Sequence, residues 1–171
     1  GKNVTIKGNS SLSVLKFNGA DFMTIDGSNI GGGSTRNLTI INTSTAGTTG
    51  GVWLSSLGIN AGTRRDTVKN CIIYCGSDQS TTTTTTFGII SCGTNVSAST
   101  TNFGQDNDSN TFINNYIYKV KYGIYSYGNT NINPNVGTLI AKNLIGPNTL
   151  SSDEIGKAGI VVNAERSDTI R

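Results

Sequence analysis

The sequence contains no histidine, only two prolines and only 13 % charged residues among its 171 positions. Without histidine or a paired Cys-x-x-Cys spacing, we expect no zinc site and no other metal centre. The 13 cationic residues are scattered and the net charge is only +3, so we expect no nucleic-acid partner. No apolar run approaches the ~20 residues of a membrane span.

The residues that are abundant indicate strands and turns. Glycine occurs 22 times, and Asn, Ser, Thr, Ile and Val fill much of the remainder. β-Branched and aromatic residues favour strands, whereas Gly, Asn and Ser favour tight turns. Residues typical of helices are comparatively scarce. The composition therefore predicts an all-β protein with many turns.

The three cysteines are too few for a disulfide framework. They are Cys71, Cys75 and Cys92. We expect buried free thiols, and the alternative is a single Cys75–Cys92 bridge in an oxidising compartment.

A Gly-ϕ-x-ϕ motif, in which ϕ is apolar or small, recurs four times at nearly constant spacing. The intervals between its first apolar residues are 37, 35 and 36 positions, and these residues are Val52, Ile89, Ile124 and Ile160. Alternate residues of a strand face the same way. We therefore expect these four side chains to form one inward column.

A second motif, ϕ-x-[Asn/Lys]-[Asn/Cys]-x-Ile, lies between the copies of the first. Its copies begin at Val68, Phe112 and Ile140, and Ile170 stands where another would begin. These residues are expected to form a second inward column, with Ile73, Ile117 and Ile145 beside it. We interpret Leu38 as the start of a looser, earlier copy.

Within the second motif, Asn115 and Asn143 fall at equivalent inward positions. Buried amides are tolerated where stacked side chains hydrogen-bond to one another. Cys71 replaces the asparagine in an earlier copy, where we expect it to behave as a small apolar residue.

Two strand types that recur about every 36 residues are typical of a solenoid. We predict a single-stranded right-handed parallel β-helix, with one domain over residues 1–171 and insertion loops near 76–86 and 94–110. A parallel solenoid normally carries caps at its ends, and the sequence shows none. We therefore expect a fragment of a longer chain, its ends covered by flanking coils of the same polypeptide or by a neighbouring chain.

Residues 22–29, 36–43, 121–125 and 155–160 resemble the pectate-lyase-like superfamily of right-handed parallel β-helices. More narrowly, the chain resembles long β-helix repeat proteins that Bacteroidetes-like bacteria secrete to their surface. The resemblance implies a secreted or cell-surface location. It also raises the question of catalysis, because the superfamily contains polysaccharide lyases and hydrolases.

Lyases of this superfamily use carboxylates that hold Ca²⁺ and an Arg or Lys base. The local candidates are Asp66 with Arg64, Arg65 and Lys69, for which a charged turn is the simpler interpretation. The Gly-His-Gly segment and the paired Asp residues of the hydrolases are missing. We predict no catalytic residue, and if the protein is an enzyme we expect a polysaccharide lyase.

The run from Asp106 to Asn110 has the oxygen-rich alternation of a calcium loop. It lacks the glycine and the final acidic residue of the EF-hand form. We interpret it as an Asx-rich turn and expect no cofactor, with calcium as the alternative.

Aromatic residues supply the candidate ligand-binding site. Trp53, Tyr125 and Tyr127 should point outward from one strand type, and Tyr116 and Tyr118 from the neighbouring one. An exposed aromatic strip on a flat surface suits stacking against sugar rings or docking a partner. The alternative is that the loop from Thr94 to Asn110 folds over the strip and buries it.

We therefore predict a non-catalytic structural or adhesive β-helix module of a large extracellular or cell-surface protein, with polysaccharide as a ligand. One alternative is the ancillary segment of a polysaccharide lyase or glycoside hydrolase whose active site lies elsewhere. Another is a filament or assembly component that stacks through open solenoid ends.

Overall fold

The computed structural model describes residues 1–76, 84–129, 133–147 and 154–171, and every regular element in them is a β-strand. The strands in chain order are β1 (Val4–Gly8), β2 (Ser13–Asn18), β3 (Thr24–Asp26), β4 (Leu38–Asn42), β5 (Thr48–Ser55), β6 (Thr67–Lys69), β7 (Cys71–Cys75), β8 (Thr85–Cys92), β9 (Thr111–Ile113), β10 (Tyr116–Tyr118), β11 (Val120–Tyr127), β12 (Asn135–Val136), β13 (Leu139–Ala141), β14 (Leu144–Ile145), β15 (Ile155–Asn163), β16 (Glu165–Arg166) and β17 (Thr169–Ile170).

Within these ranges, fifteen of the strands form three five-stranded sheets in which every pair is parallel. Sheet 1 has the order β1-β4-β7-β10-β14, sheet 2 the order β2-β5-β8-β11-β15, and sheet 3 the order β3-β6-β9-β13-β17. The remaining strands, β12 and β16, pair with each other. The predicted all-β class with parallel strands is confirmed.

The chain contributes one strand to sheet 1, then one to sheet 2 and then one to sheet 3, and it passes through this order five times. We call one such passage a circuit. Each strand therefore pairs with the strand of the same sheet in the preceding and following circuits. Equivalent residues of successive circuits lie side by side, which is the condition for columns of like side chains.

The predicted inward columns are confirmed by strand register and burial. Val52 pairs with Ile89, and Ile124 pairs with both Ile89 and Ile160. The column that begins at Val68 runs through sheet 3, and the isoleucines predicted beside it run through sheet 1. Most of these residues fill one apolar core enclosed by the three sheets, whereas Ile160 and Ile170 of the last described circuit are exposed.

The first circuit departs from the predicted alignment of the repeats. Leu38 pairs with Cys71 in sheet 1, whereas the partner of Val68 in sheet 3 is Ile25. The prediction for Leu38 was wrong because its segment matches the second half of the motif rather than its start. Sheet 2 also has an earlier member, since Leu15 pairs with Val52.

The predicted asparagine stack lies at the start of the sheet 1 strands. Asn115 Nδ2 donates to Asn143 Oδ1 at 3.1 Å, and its Oδ1 accepts the Cys71 N–H, also at 3.1 Å. Asn115 Nδ2 also donates to Val68 O. Each buried amide thus satisfies backbone groups of a neighbouring circuit, which offsets the cost of burying it. Cys71 ends the stack and is fully buried.

The glycine of the Gly-ϕ-x-ϕ motif is required by close packing between two sheets. A Cβ added to Gly51 would lie 2.6 Å from Ile73 Cγ2 and 2.9 Å from the Gly88 carbonyl oxygen. Gly88 and Gly123 meet the next isoleucines of the same column, Ile117 and Ile145. The glycine column of sheet 2 therefore exists because the isoleucine column of sheet 1 fills its space.

One turn connects sheet 3 to sheet 1 in the same way in three circuits. Asn70, Asn114 and Lys142 all adopt left-handed backbone conformations there, with φ of 58°, 53° and 54°. Asparagine tolerates this region better than most residues. The turn therefore stacks its side chains along the outside of the molecule.

The two predicted insertion loops differ in what the structure describes. Residues 93–110 contain no strand, and Val96, Ala98 and Phe103 of this segment pack against the outside of sheet 2. Of the loop predicted near 76–86, residues 77–83 lie outside the described residues, and β8 begins at Thr85. A search of the described residues finds no helix with the length and hydrophobicity to cross a membrane.

The glycine column can be tested by adding one methyl group. Gly51→Ala is expected to destabilise the fold by about 1–3 kcal/mol, because the new methyl overlaps Ile73 and a backbone carbonyl. Urea unfolding followed by circular dichroism measures the change. Gly47→Ala is the control, since its Cβ meets nothing within 4 Å. Equal stability of the two variants would contradict the proposed role of the column.

Candidate functional site

The five predicted ligand-binding residues do not form one strip. Trp53, Tyr125 and Tyr127 point away from the apolar core on the outer side of sheet 2, as expected, but they are covered there. Tyr116 and Tyr118 lie on the outer side of sheet 1 and are half-buried. Because the two groups belong to different sheets, one flat ligand cannot contact all five.

Trp53, Tyr125 and Tyr127 are not exposed, and the alternative of a strip covered by the loop is confirmed. They belong to a second apolar core outside sheet 2, and Trp53 is only 1 % exposed. Val96, Ala98 and Phe103 of the 93–110 segment belong to the same core, which also includes Phe87, Ile90, Cys92, Tyr122, Ala158 and Val161.

Asn102 holds the covering segment in place. Its Oδ1 accepts the Asn95 N–H at 3.1 Å, and its Nδ2 donates to the Ser97 carbonyl at 3.2 Å. A sequence pattern could not choose between an open and a covered strip, because the choice depends on the path of this long segment.

Burial changes the acid–base properties of the covered strip, which consists of Trp53, Tyr125 and Tyr127. It raises the pKa of Tyr125 to about 12, with a smaller contribution from the neighbouring Tyr127. Lys16 Nζ lies 4.0 Å from the centroid of the Trp53 ring at the edge of the strip, within the range of a cation–π contact. The covered strip therefore acts as a second core in this conformation.

The outer side of sheet 1 carries the aromatic surface that remains accessible. Tyr74 and Tyr118 stack with ring centroids 4.9 Å apart, and Tyr116 and Tyr118 lie 4.7 Å apart. Ile72 pairs with Tyr116 on the same side. We call these four residues, Ile72, Tyr74, Tyr116 and Tyr118, the tyrosine face.

The tyrosine face is flat and continues in both directions along its sheet. Ile41, half-buried, precedes Tyr74 in register, and Leu144, which is 38 % exposed, follows Tyr116. Because the ring faces between Tyr74 and Tyr118 contact each other, a ligand meets ring edges, hydroxyls and the flanking apolar side chains. Such a surface combines apolar area with hydrogen-bonding groups.

Tyr74 was missed in the prediction of site residues. It stands three positions after Cys71, as Tyr118 stands three after Asn115, and the two residues pair in register. The repeat spacing that aligns Cys71 with Asn115 also aligns Tyr74 with Tyr118, so it could have identified Tyr74.

The residues considered as lyase candidates do not lie together in one site. Asp66 is buried, and its Oδ1 accepts the Met23 N–H at 2.8 Å. Burial raises the pKa of Asp66 to about 6. Lys69 lies at a different turn and pairs with Asp26 at 3.0 Å. Asp66 therefore serves the backbone of an adjacent circuit rather than a common site with Lys69.

Arg64 joins an exposed charged corner instead. Its guanidinium lies 3.7 Å from Asp106 and 3.9 Å from Asp108, in partly exposed ion pairs of small energetic weight. A neighbouring pocket of about 380 Å³ is lined by Arg64, Arg65 and Asp108. Of the four candidates, only Arg64 and Arg65 line this pocket, whereas Asp66 and Lys69 do not.

The candidate calcium run is occupied by bonds within the protein. Asp106 Oδ2 accepts the Asn60 N–H at 2.6 Å, and Asp108 Oδ1 accepts the Val136 N–H at 2.9 Å. Asn107 points inward and bonds Thr63 and Asn135. Within the described part of the chain, no group of three or more His, Cys, Asp or Glu could hold a metal ion.

The three cysteines are free and buried. The expectation of free thiols is confirmed, and the alternative Cys75–Cys92 bridge is not formed. Burial raises the pKa of each thiol to about 12. Since the thiolate is the reactive form, these cysteines are inert packing residues.

Glu165 is a titratable residue whose pKa depends on the fold. Its Oε1 accepts from Asn135 Nδ2 at 3.1 Å, at the end of an interior polar stack that includes Asn107. Burial and the neighbouring Asp168 raise the pKa of Glu165 to about 8. The protonated form of this side chain therefore persists to a higher pH than that of an exposed glutamate.

Comparisons of the chain with protein-family models, with curated proteins and with solved structures gave no match.

The pKa of Glu165 predicts a pH-dependent stability. A carboxyl group whose pKa rises from 4.5 to about 8 on folding stabilises the fold below pH 4.5, and this contribution is lost as the pH rises to 8. Between pH 5 and pH 8.5 the wild type should therefore lose roughly 1–4 kcal/mol more stability than the Glu165→Gln variant. Urea unfolding at the two pH values measures the difference.

The control for this experiment is Glu154→Gln, because Glu154 is an exposed glutamate. It should keep the wild-type dependence of stability on pH. A Glu165→Gln variant with the same dependence would show that Glu165 is already ionised at neutral pH.

Proposed function

We propose that the chain is a segment of right-handed parallel β-helix, of the kind found in the pectate-lyase-like superfamily, and serves as a non-catalytic structural or adhesive module. The fixed cyclic order of three parallel sheets supports this architecture. Right-handed crossovers between parallel strands are strongly preferred, which supports the handedness.

A structural rather than catalytic role is supported by how the interior polar groups are used. Asn115, Asn107 and Asp66 all accept backbone N–H groups of neighbouring circuits. These hydrogen bonds hold neighbouring circuits in register. In this proposal the rigid stack displays its outer surfaces to ligands, on a secreted or cell-surface protein.

The tyrosine face is the surface that we propose for adhesion, with carbohydrate as the ligand. The observation that carries this proposal is the group of three adjoining tyrosine rings, 4.7 and 4.9 Å apart, on the accessible side of a flat sheet. Tyrosine combines an apolar ring with a hydroxyl, and sugars present apolar ring faces edged by hydroxyls. The rigid sheet fixes the rings before binding, so little conformational entropy is lost on association.

The proposed adhesion can be tested by truncating the outermost rings. A glycan array identifies the bound sugar, and calorimetry of that sugar with Tyr74→Ala and Tyr116→Ala should show at least a tenfold loss of affinity. Phe22→Ala is the matched control, because Phe22 is an aromatic residue 68 % exposed at a turn away from the tyrosine face. No binding on the array, or equal affinity of all variants, would refute the proposal.

A second candidate function is assembly through the edges of the stack. Val4 lies in β1, at one edge of sheet 1, and Ile170 lies in β17, at the opposite edge of sheet 3. Val4 is 54 % and Ile170 55 % exposed, although both occupy inward column positions. Exposed strand edges with apolar side chains are templates for pairing with a second copy.

If the chain assembles in this way, its molecular mass in solution should increase with protein concentration. Light scattering after size exclusion should show oligomers of the wild type, and Val4→Lys with Ile170→Lys should shift them toward the monomer. Ile59→Lys is the control, since Ile59 is 54 % exposed in a loop away from both edges. A wild-type monomer at all concentrations would rule this candidate out.

A further inference from the structure

A pocket of about 410 Å³ opens at the stacked turn between sheet 3 and sheet 1. Its lining includes Gly33, Ser34, Lys69, Asn70, Asn114 and Lys142. We call it the turn pocket. Three of these residues, Asn70, Asn114 and Lys142, are the left-handed residues of successive circuits, so the pocket runs along the axis of the stack.

The wall of the turn pocket is built by the segment between β3 and β4. Arg36 of this segment donates from Nε to the Asn114 carbonyl at 2.8 Å and from Nη2 to Asn114 Oδ1 at 2.7 Å. Asn114 Nδ2 in turn donates to the Ser34 carbonyl at 2.8 Å. These bonds tie the first circuit to the fourth and hold the pocket open in one shape.

The asparagines of the pocket are already satisfied by the protein. Asn114 Nδ2 also donates to Asn70 Oδ1 at 2.7 Å, and Asn70 Nδ2 donates to Asp26 Oδ1 at the same distance. The amides therefore form a rigid floor. The groups left for a ligand are the Lys142 ammonium group, the Ser34 hydroxyl and the Ser34 N–H, for which the described ranges hold no hydrogen-bond partner. The Lys69 ammonium group also lines the pocket and pairs with Asp26.

The charges around the turn pocket are unbalanced. Lys69 pairs with Asp26 at 3.0 Å. Within the described ranges, neither Arg36 nor Lys142 forms an ion pair. Three cations with one carboxylate leave a local excess of two positive charges, and Arg36 is partly buried. An excess of this kind in a concave site attracts and orients anions.

We propose that the turn pocket binds an oxyanion, with the Lys142 and Lys69 ammonium groups and the Ser34 N–H and hydroxyl as its donors. Arg36 supports the site from the far side of Asn114. The ligand is either a free inorganic anion or an anionic substituent of a polysaccharide, since both present the same oxygen geometry.

The position of the turn pocket favours the polysaccharide as the source. Tyr116 follows Asn114 by two residues, and Leu144 follows Lys142 by two, so the Cα atoms of each pair are at most about 7 Å apart. A chain of sugars on the tyrosine face would therefore place a charged substituent at the pocket. This extension rests on the proposed carbohydrate-binding function, whereas the anion site itself does not.

Calorimetry with three probes separates these possibilities, and the probes are sodium sulfate, dextran sulfate and neutral dextran. The wild type should bind sulfate and dextran sulfate but not dextran. Lys142→Gln should weaken sulfate binding at least fivefold, and Lys142→Glu should abolish it. Lys157→Gln is the matched control, because it removes the same charge from an exposed lysine of sheet 2.

The outcomes distinguish the anion site from its extension to glycans. Absence of sulfate binding, or equal weakening by Lys142→Gln and Lys157→Gln, would overturn the site, because general surface charge would explain the result. Sulfate binding without dextran sulfate binding supports the site and overturns the extension. Loss of dextran sulfate binding in Tyr74→Ala, with sulfate binding unchanged, supports both.

Discussion

Parallel pairing in fixed register between successive circuits is the constraint on which the rest of the structure depends. It places residue Val52 beside Ile89 and Ile89 beside Ile124, so each inward position becomes a continuous column. A side chain that does not fit its column would disturb the circuits on both sides. The glycine column follows from this constraint, since the isoleucines of sheet 1 occupy the space that its side chains would need.

The same constraint explains how polar groups are buried. An amide in a column has a backbone N–H or another amide within reach in the next circuit, as Asn115 has in Cys71 and Asn143. Glu165 ends one such stack with a carboxyl group whose pKa is raised by desolvation and by the neighbouring Asp168. The amides of the stack are hydrogen-bonded in this way, and the last described circuit becomes sensitive to pH.

On the outer sides of the sheets, the register aligns two groups of aromatic side chains, one on sheet 1 and one on sheet 2. They differ in how much of their area is accessible. Both are columns of outward side chains, but the 93–110 segment covers the one on sheet 2, with Val96 and Phe103 packed against it. The tyrosine face keeps part of its area accessible. The turn pocket arises beside it, because the segment that contains Arg36 extends over the turns of later circuits. Recognition by this protein, as we propose it, would therefore be a property of the outer surface, while the interior holds that surface rigid.

The sequence by itself determined the all-β class, the parallel columns and the asparagine stack, because periodic spacing translates directly into register. The same spacing aligns Tyr74 with Tyr118, so the sequence also identifies Tyr74 as a member of the tyrosine face. Only the tertiary structure decided that Trp53, Tyr125 and Tyr127 are covered, that Ile25 rather than Leu38 aligns with Val68, and that Arg36 reaches Asn114. The physical reason is that these features depend on the paths of long irregular segments, whose contacts join residues far apart in the chain and leave no periodic signal.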